Sequence, residues 1–411
     1  MGVLRWRGEL DFQIREISGK SVGRLDAEVA TILRLGFYQV QFLDRIPQAA
    51  VVNDAVEMTK AARKRSAAGF VNSVLRKCPA GGRTQAPGGF DSLDKAGLER
   101  VRRATPEWLR ERWARNFSQP GGDGELVASR LAWASTQVSP TVVRVVRRAE
   151  DVARLREELA AEGIKTRPGK FSSQALVVES GNVRASEAFR QCRVVIQDEA
   201  SQLVAKLLEA QAGQRVLDLC AAPGIKAGQI AQVLGSGTLV TCDRSAARLR
   251  ALAKLLPPWL PQEVRGFAVQ LDASRPLPFG CSFERILLDA PCSGTGTLAR
   301  NPEIKFRLQE ADVKRLAEAQ VNLLRAALNT LSLGGRLVYA TCSLEPEENE
   351  GAVERALGNA PGCHLVGRTE LESAHPSLSL FLDAQGCFRT RPDLHGTDGF
   401  FAAVLVRKNQ F

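Results

Sequence analysis

Histidine is scarce in this 411-residue chain: only three are present, all beyond residue 360. Histidine bases and histidine metal ligands are therefore poorly supported, and no metal site is expected. The nine cysteines include no Cys-x-x-Cys pair, and an odd number of scattered cysteines favours reduced thiols over a disulfide framework. No apolar stretch has the length of a membrane span, and the N-terminus lacks the apolar core of a signal peptide. We expect a cytoplasmic protein without a membrane partner.

Basic residues are in excess, with 56 Lys and Arg against 45 Asp and Glu, which gives a net charge of +11. Such a charge favours a polyanionic partner, and nucleic acid is the obvious candidate. No acidic residue occurs from Lys60 to Lys77, a range that holds six basic ones: Lys60, Arg63, Lys64, Arg65, Arg76 and Lys77. A solubilising surface and a phosphate-binding stripe both fit this pattern.

The length suggests two or three domains, because single cores rarely grow past roughly 250 to 300 residues. Residues 1–79 show helical apolar spacing, and residues 80–138 read as a Gly- and Pro-rich linker followed by a helical connector. Residues 139–195 are typical of a small α/β module with an RNA-binding role. We expect a strand at Thr141–Val146, a helix at Ala149–Ala161 and a second strand near Gln174–Val178. Residues 196–411 alternate strand and helix, which predicts a mostly parallel sheet of the Rossmann-like type.

The first predicted strand of this last part runs from Arg215 to Leu219 and opens into the loop Cys220–Lys226. A loop of small residues before a helix lets a cofactor approach backbone amides. The second and third strands end near Asp243 and Asp272, where a carboxylate suits ribose hydroxyls and the rim of an adenine pocket. Each aspartate alone could equally cap a helix, and a dinucleotide enzyme would share the same skeleton.

Two later strands each lead to a cysteine. One apolar run ends at Asp289 and continues to Cys292, and the other, beginning at Leu337, leads to Cys342. A single cysteine in a strand-to-helix turn is usually a buried core residue. Two thiols and a carboxylate at one sheet edge instead suit covalent chemistry on an electron-poor ring. Cytosine fits, since thiol addition at C6 makes C5 able to accept a methyl group.

Several sequence words resemble known families. The catalytic part resembles the RNA cytosine-5 methyltransferase family in Asp218-Leu-Cys-Ala-Ala-Pro-Gly224 with Lys226, Asp289-Ala-Pro-Cys-Ser-Gly-Thr-Gly296, Arg300-Asn-Pro-Glu-Ile-Lys305, Tyr339-Ala-Thr-Cys-Ser343 with Glu347-Glu-Asn-Glu350, and Asp398-Gly-Phe-Phe401. The head resembles the NusB-type helical RNA-binding domain in Leu33-Arg-Leu-Gly-Phe-Tyr-Gln39, Ile46-Pro47, Val52-Asn53-Asp-Ala-Val56 and Gly69-Phe-Val-Asn-Ser-Val-Leu-Arg76. The resemblance implies a class I methyltransferase domain behind an all-α head, with a small α/β module between them.

The resemblance also implies roles for single residues. Cys342 is the expected nucleophile on C6, Cys292 the residue that assists product release, and Asp289, with Lys226 close by, the contact to the N3 and N4 edge of cytosine. S-adenosylmethionine is the implied cofactor, held by Cys220, Ala221, Ala222, Pro223, Gly224, Ile225, Lys226, Asp243, Asp272 and Asp289. The implied partner is RNA, 16S ribosomal RNA in particular, presented unpaired or with the base flipped out. We expect a monomer.

One residue departs from the family pattern: Ile225 stands where a second glycine is usual. A β-branched side chain disfavours positive φ, so either Ile225 adopts an ordinary conformation, which we favour, or cofactor affinity is reduced. Two other functions stay open: a cytosine-5 methyltransferase acting on transfer RNA, and an RNA-binding protein with a catalytically impaired, relic methyltransferase domain. The sequence leaves open which cytosine is modified and whether naked RNA or an assembling particle is bound.

Overall fold

A computed structural model describes residues 1–79, 89–118, 122–146 and 151–408. Nearly all of the predicted linker, residues 80–88, lies outside these ranges. Internal contacts divide the chain into two compact units, here called unit 1 (Met1–Val138 and Leu298–Leu308) and unit 2 (Ser139–Thr297 and Gln309–Phe411). The division into four parts with the boundaries given above remains a prediction.

The elements follow in chain order. The helical first section contains α1 (Gly2–Ser18), α2 (Ala27–Phe42), α3 (Gln48–Ala61), α4 (Ala68–Arg76), α5 (Lys95–Arg103), α6 (Glu107–Asn116) and α7 (Gly124–Thr136). Next come β1 (Thr141–Val145), α8 (Asp151–Ala161), β2 (Lys165–Pro168), β3 (Ala175–Ser180), α9 (Glu187–Arg190) and β4 (Val194–Ile196). The remainder contains α10 (Glu199–Lys206), β5 (Arg215–Asp218), α11 (Ile225–Leu234), β6 (Gly237–Asp243), α12 (Ala246–Leu255), β7 (Val264–Gln270), β8 (Phe283–Asp289), α13 (Ile304–Arg307), α14 (Glu310–Asn329), β9 (Leu331–Thr341), α15 (Glu350–Leu357), β10 (Cys363–Leu365), α16 (Arg368–Ala374), β11 (Phe388–Arg389), α17 (Pro392–His395) and β12 (Phe401–Arg407).

The all-α head predicted from apolar spacing is confirmed. In α2 the buried residues Val29, Ile32, Leu33 and Phe37 recur at spacings of three and four, so they form one face against the core of unit 1. Burying such a stripe stabilises a helix far more than its intrinsic propensity does.

The basic residues of the head divide into two groups. Lys60 pairs with Glu57 at 2.7 Å and Lys64 with Asp26 at 3.2 Å, so these two charges are partly compensated. The other four basic residues of that range are exposed: Arg63, Arg65, Arg76 and Lys77. The exposed group is the part of this surface that keeps its charge available for phosphates.

A short segment from the second half of the sequence, Leu298–Leu308, belongs to unit 1. Its Lys305 side chain is only 2% exposed, and Nζ donates to the carbonyl oxygens of Arg5 and Ala104, both at 3.3 Å. The Arg5 Nε donates in turn to the carbonyl of Ala299 at 2.9 Å. Burial, with a smaller contribution from the Arg5 charge, lowers the pKa of Lys305 to about 7.

Unit 2 begins with a four-stranded antiparallel sheet in the order β2-β3-β1-β4. The sequence indicated only β1, α8 and β3 of this module. The strands that it did not indicate, β2 and β4, have four and three residues and are too short for alternation to show.

The larger sheet has the order β10-β12-β9-β8-β5-β6-β7, with β11 paired to β12. Strands β5 to β9 pair in parallel, whereas β10, β11 and β12 pair antiparallel. Alternate residues of the central strands pack into two hydrophobic cores, one containing Val216 and Leu287 and the other containing Leu217 and Ile286. Burial on both faces explains why these strands read as unbroken apolar runs. The predicted Rossmann-like, mostly parallel sheet is confirmed.

No helix in the part of the chain that the structure describes combines the length and apolarity needed to cross a bilayer.

Replacing the buried ammonium group of Lys305 with an apolar side chain tests the packing of this segment. Below about pH 7 the folded parent buries a charged ammonium group. Above that pH the folded protein holds the neutral amine, while the lysine of the unfolded chain is still protonated. The parent therefore becomes more stable as the pH rises. Lys305→Met removes this dependence. The unfolding free energy of the variant minus that of the parent should therefore be largest near pH 6 and fall towards about pH 9.

Urea unfolding followed by tryptophan fluorescence suits the measurement, since Trp6, Trp108, Trp113 and Trp133 lie in unit 1 and only Trp259 lies in unit 2. The exposed Lys77→Met is the matched control, and its difference from the parent should not vary with pH. If the stability difference from the parent varied with pH in the same way for both variants, the lowered pKa of a buried Lys305 would be contradicted.

Candidate active site

The two cysteines singled out in the sequence meet at the carboxyl edge of the larger sheet. Strands β8 and β9 run in parallel with Asp289 opposite Ala340, so the chain passes Cys292 and Cys342 a few residues beyond that register. The sulfur atoms lie 3.4 Å apart, and both side chains are partly exposed. The structure thus brings the two thiols within reach of one small planar group.

A third loop completes this edge. The backbone N–H of Gly296 donates to the carbonyl of Cys342 at 3.0 Å, and the N–H of Gly399 donates to the carbonyl of Gly296 at 2.8 Å. A Cβ atom on Gly296 would stand 2.1 Å from the Gly399 carbonyl oxygen, closer than any real side chain approaches. Glycine at this position allows the loops carrying the two cysteines and the Asp398–Phe401 segment to stack.

Lys226 lies beside this edge at the start of α11. Its Nζ is 2.7 Å from an Asp289 carboxylate oxygen and 5.2 Å from the centre of the Phe400 ring. Burial opposes the charge on Lys226, but Asp289, and next Cys342, outweigh it and raise its pKa. The structure therefore brings together all four predicted catalytic residues: a charged lysine close to Cys342, the carboxylate of Asp289, and the two thiols.

The thiol of Cys292 lies among negative charges. Its hydrogen bond with Cys342 contributes most, burial next, and the charges of Cys342, Glu348 and Asp289 add to them, raising its pKa well above the ordinary value. Cys292 consequently stays protonated at neutral pH.

The loop after β5 takes the shape that a ligand-binding turn requires. Gly224 has φ +103°, a conformation that favours glycine, and stands directly before α11. Ile225 is the first residue of that helix and has no positive φ. Ile225, which replaces the usual second glycine, therefore adopts the ordinary conformation that we favoured. Its β-branched side chain causes no backbone strain.

A cavity of about 410 Å³ opens at the ends of β5, β6 and β7. Of the predicted cofactor residues, Cys220, Asp243 and Asp272 line it, whereas those from Ala221 to Lys226, and Asp289, are outside its wall. Asp243 accepts a hydrogen bond from the Ser245 backbone at 2.8 Å. Ser274 donates both its hydroxyl and its backbone N–H to Asp272, at 2.6 and 3.1 Å, which lowers the pKa of that carboxyl.

The sequence predicted no role for two ionisable residues of this region. Arg248 also lines the cavity, 3.5 Å from Asp243, and a basic residue on a helix carries no distinctive sequence signal. Asp218 ends β5 at 1% exposure, and neither of its carboxylate oxygens has a hydrogen-bond partner within the described residues. Burial, reinforced by Asp289, raises its pKa to about 8, so it is largely a neutral acid at pH 7. The sequence signal that could have identified Asp218 is an acidic residue at the end of an apolar run.

Histidine, cysteine, aspartate and glutamate form no group of three or more arranged to hold a metal ion within residues 1–79, 89–118, 122–146 and 151–408.

Comparison with known proteins places this geometry in a family. Residues 205–406 match the family described as 16S rRNA methyltransferase RsmB/F, and residues 1–79 match the NusB family. Ribosomal RNA small subunit methyltransferase B of Pseudomonas putida is 33% identical over 418 residues, covering 99% of this chain and 88% of the relative. The chain belongs to the RsmB/F family of 16S rRNA methyltransferases. A Bacillus subtilis relative, described as a probable ribosomal RNA small subunit methyltransferase B, is 30% identical over 410 residues, covering 99% and 89% of the two chains.

Solved structures agree with this membership. The crystal structure of PH0851 superposes with a TM-score of 0.80 at 24% identity and covers 98% of this chain and 88% of its own, which shows the shared fold. A methyltransferase homolog from Pyrococcus horikoshii gives a TM-score of 0.62 at 26% identity, covering 77% of this chain and all of its own (100%). The predicted methyltransferase activity and NusB-like head are confirmed by the family.

Gly296→Ala tests the stacking of the three loops. The added methyl group cannot lie 2.1 Å from the Gly399 carbonyl, so the loops must separate. Overpacking of this kind costs about 1–3 kcal/mol, and a 1 Å displacement of reacting groups is enough to slow turnover about 100-fold. We expect the variant to lose methyl transfer by that factor and to show faster amide hydrogen exchange in peptides containing residues 292–297 and 396–400.

Gly367→Ala is the matched control, because a Cβ atom there meets nothing within 4 Å. If Gly296→Ala matched this control in its methyl-transfer rate and its amide hydrogen exchange, close stacking of the loops would not be required.

Proposed function

We propose that this protein transfers a methyl group from S-adenosylmethionine to C5 of a cytosine in RNA, with 16S ribosomal RNA as its substrate. The observation that carries the proposal is the pair of thiols whose sulfur atoms lie 3.4 Å apart at the end of β8 and β9. C5 of cytosine is a poor nucleophile, and transient addition of a thiolate to C6 makes it reactive. A second thiol beside the first is not needed for methyl transfer to amines or hydroxyls.

The two thiols differ in surroundings, and this difference supports separate roles. Cys342 interacts electrostatically with Lys226, so a positive charge lies near this sulfur. Cys292 faces Asp289 and Glu348, whose negative charges oppose ionisation. Cys342 is therefore the nucleophile in our proposal, and Cys292 is the residue that assists release of the product.

The proposed bond changes balance over the cytosine, the side chains and the cofactor, because the electron pair of the cofactor's S–CH3 bond would stay on its sulfur and leave with it as a neutral thioether. The Cys342 thiolate forms a bond to C6, and the electron pair of the C5–C6 double bond becomes available at C5 for the methyl group. A base then removes the C5 proton, the electron pair restores the double bond, and the Cys342 sulfur leaves C6. Asp289 holds the N3 and N4 edge in place through hydrogen bonds, with Lys226 fixed beside it.

The residues of the cavity fit the proposed cofactor. Its volume of about 410 Å³ lies within the usual range for small-molecule sites, and Asp243 and Asp272 offer acceptors at adjacent strand ends. When bound, S-adenosylmethionine supplies an electrophilic methyl group on a sulfonium. Residues 220–226, together with Asp243, Asp272 and Asp289, are the ones that we propose to hold it.

The proposal of 16S ribosomal RNA rests on the family and on the names of the relatives. The NusB-like head supports an RNA partner, and its exposed basic group of Arg63, Arg65, Arg76 and Lys77 offers charge for phosphates. The attacked base has to leave its stack, so the substrate cytosine is unpaired or flipped. The monomeric state and the cytoplasmic location stay predictions.

A tritiated methyl-transfer assay tests this function. We expect the protein to label 16S ribosomal RNA from a strain that lacks the enzyme, and to leave 16S ribosomal RNA from the parent strain and transfer RNA unlabelled. Bisulfite sequencing of the deletion strain then locates the single cytosine that loses its modification. Labelling of transfer RNA alone would select the transfer RNA alternative, and absence of labelling on every RNA would select the relic RNA-binding protein.

Separate substitutions of the two thiols test their roles. Cys342→Ala should abolish methyl transfer, because no other thiolate reaches C6. Cys292→Ala should retain addition but hinder release, so a protein–RNA adduct should accumulate and survive a denaturing gel. Cys281→Ala removes an exposed cysteine elsewhere in unit 2 and serves as the control, with unchanged rate and no adduct. Exchanged phenotypes for the first two variants would reverse the assignment.

A further inference from the structure

Glu348 is a carboxylate buried within the active-site edge, and none of the proposed bond changes involves it. It closes a short 3₁₀ turn (Pro346–Glu348) after Cys342, and its exposure is 0%. The Ser293 backbone N–H donates to Oε1 at 2.9 Å and the Ser343 hydroxyl donates to Oε2 at 2.5 Å. The Ser293 hydroxyl also donates to Oε2. Both carboxylate oxygens therefore accept hydrogen bonds from the loops that carry the two cysteines.

These donors are the immediate neighbours of the two thiols. Ser293 follows Cys292 in the chain, and Ser343 follows Cys342. The two serine hydroxyls stand 3.0 Å apart, both directed at one oxygen of Glu348. We propose that Glu348 is a positioning residue that ties the Cys292 loop to the Cys342 loop and holds its negative charge beside the Cys292 thiol. The inference rests on the proposed function, since it concerns the same two thiols.

Contacts from further elements hold Glu348 in place. Gln320 of α14 donates through Nε2 to Glu348 Oε1 at 3.0 Å and to the carbonyl of Pro291 at 2.9 Å, so it spans to the residue before Cys292. The hydroxyl of Tyr339 donates to the backbone carbonyl of Glu348 at 2.5 Å. A carboxylate with this many fixed donors cannot rotate, so it transmits the position of one loop to the other.

Glu348 affects the thiols through its charge as well as through its position. All four donors to its carboxylate are neutral, so among the residues that the structure describes no cation contacts it directly. Glu348 and Asp289 face Cys292 as negative groups, and Cys342 faces it as a hydrogen-bond partner. The positive group at this edge, Lys226, is paired with Asp289 and close to Cys342. Glu348 thus adds to the asymmetry that leaves Cys292 as a thiol.

Two variants separate the bridge from the charge. In Glu348→Gln the amide oxygen still accepts from the Ser293 backbone and Gln320, while the amide nitrogen donates to serine hydroxyls, which are able to accept. The bridge is kept and the charge is lost. Glu348→Ala removes both and leaves buried donors without a partner. The matched control is Glu354→Gln, an exposed carboxylate in α15.

The first measurement is the pH dependence of iodoacetamide alkylation at Cys292, resolved from the other cysteines by peptide mass spectrometry on the full chain without RNA. Loss of a nearby negative charge favours the thiolate. We expect Glu348→Gln to move the alkylation midpoint of Cys292 to lower pH by at least about half a unit, and Glu354→Gln to leave it unchanged. A purely structural role would not move this midpoint in a folded variant. An unchanged midpoint in Glu348→Gln would overturn the proposal.

The second measurement is single-turnover methyl transfer to the RNA labelled by the parent. Glu348→Ala should be slower by about 100-fold or more, because the sulfurs lose their fixed spacing, whereas Glu348→Gln should stay within about 10-fold of the parent. A rate for Glu348→Ala within about threefold of Glu354→Gln would overturn the positioning role. Should Glu348→Ala fail to fold, the alkylation profile of Glu348→Gln decides. A parent protein that methylates no RNA would refute the proposed function while leaving the alkylation test intact.

Discussion

The register between strands β8 and β9 is the constraint on which the active-site edge depends. These strands pair in parallel with Asp289 opposite Ala340, so both cysteines follow at similar distances beyond the last paired residues. Because side chains alternate between the faces of a sheet, a slip of one residue would send one of them to the opposite core. The apolar residues on both faces of β8 and β9 fix the register, since each face buries its own set. The position of the two thiols is thus a consequence of core packing.

Charge then distinguishes two side chains of identical chemistry. Lys226 reaches the edge from the start of α11 and brings a positive charge towards Cys342. The negative groups Glu348 and Asp289 face Cys292. Burial also raises the pKa of Asp218 at the end of β5 to about 8, so this acid adds little negative charge there at pH 7. Within a few ångströms, burial and the choice of neighbours thus give the two sulfur atoms different surroundings, as separate roles in our proposal require.

Much of the fold and of this edge could be predicted from the sequence because the relevant signals are local. Unbroken apolar runs that end in Asp289 and lead to Cys342 identify buried parallel strands. The carboxyl ends of such strands lie at the same edge of the sheet, independently of the loop conformations. The conformation of Ile225 was also predictable, because a β-branched residue is compatible with a helix start but not with positive φ. Signals of this kind need no knowledge of distant contacts.

The features that the sequence did not reveal depend on contacts between distant residues. Glu348 stands in an acidic run with Glu345, Glu347 and Glu350, and nothing local marks it as the one that receives donors from both cysteine loops. Its importance follows from Ser293, which is 55 residues away in the chain. The antiparallel strands β2 and β4 are missed for a different reason, since a few residues carry no measurable period.

The segment Leu298–Leu308 shows how deeply such distant contacts enter the architecture. Leu298, Ile304 and Lys305 of this segment are buried, and the carbonyl groups that hold the lysine belong to residues 201 and 300 positions away. The chain therefore leaves unit 2 after Thr297, contributes a buried segment to unit 1 and returns at Gln309. A catalytic half lacking residues 1–138 would keep these apolar side chains and the lysine without the groups that bury them. The segment begins only six residues after Cys292, so the chain that follows this thiol is soon buried in unit 1.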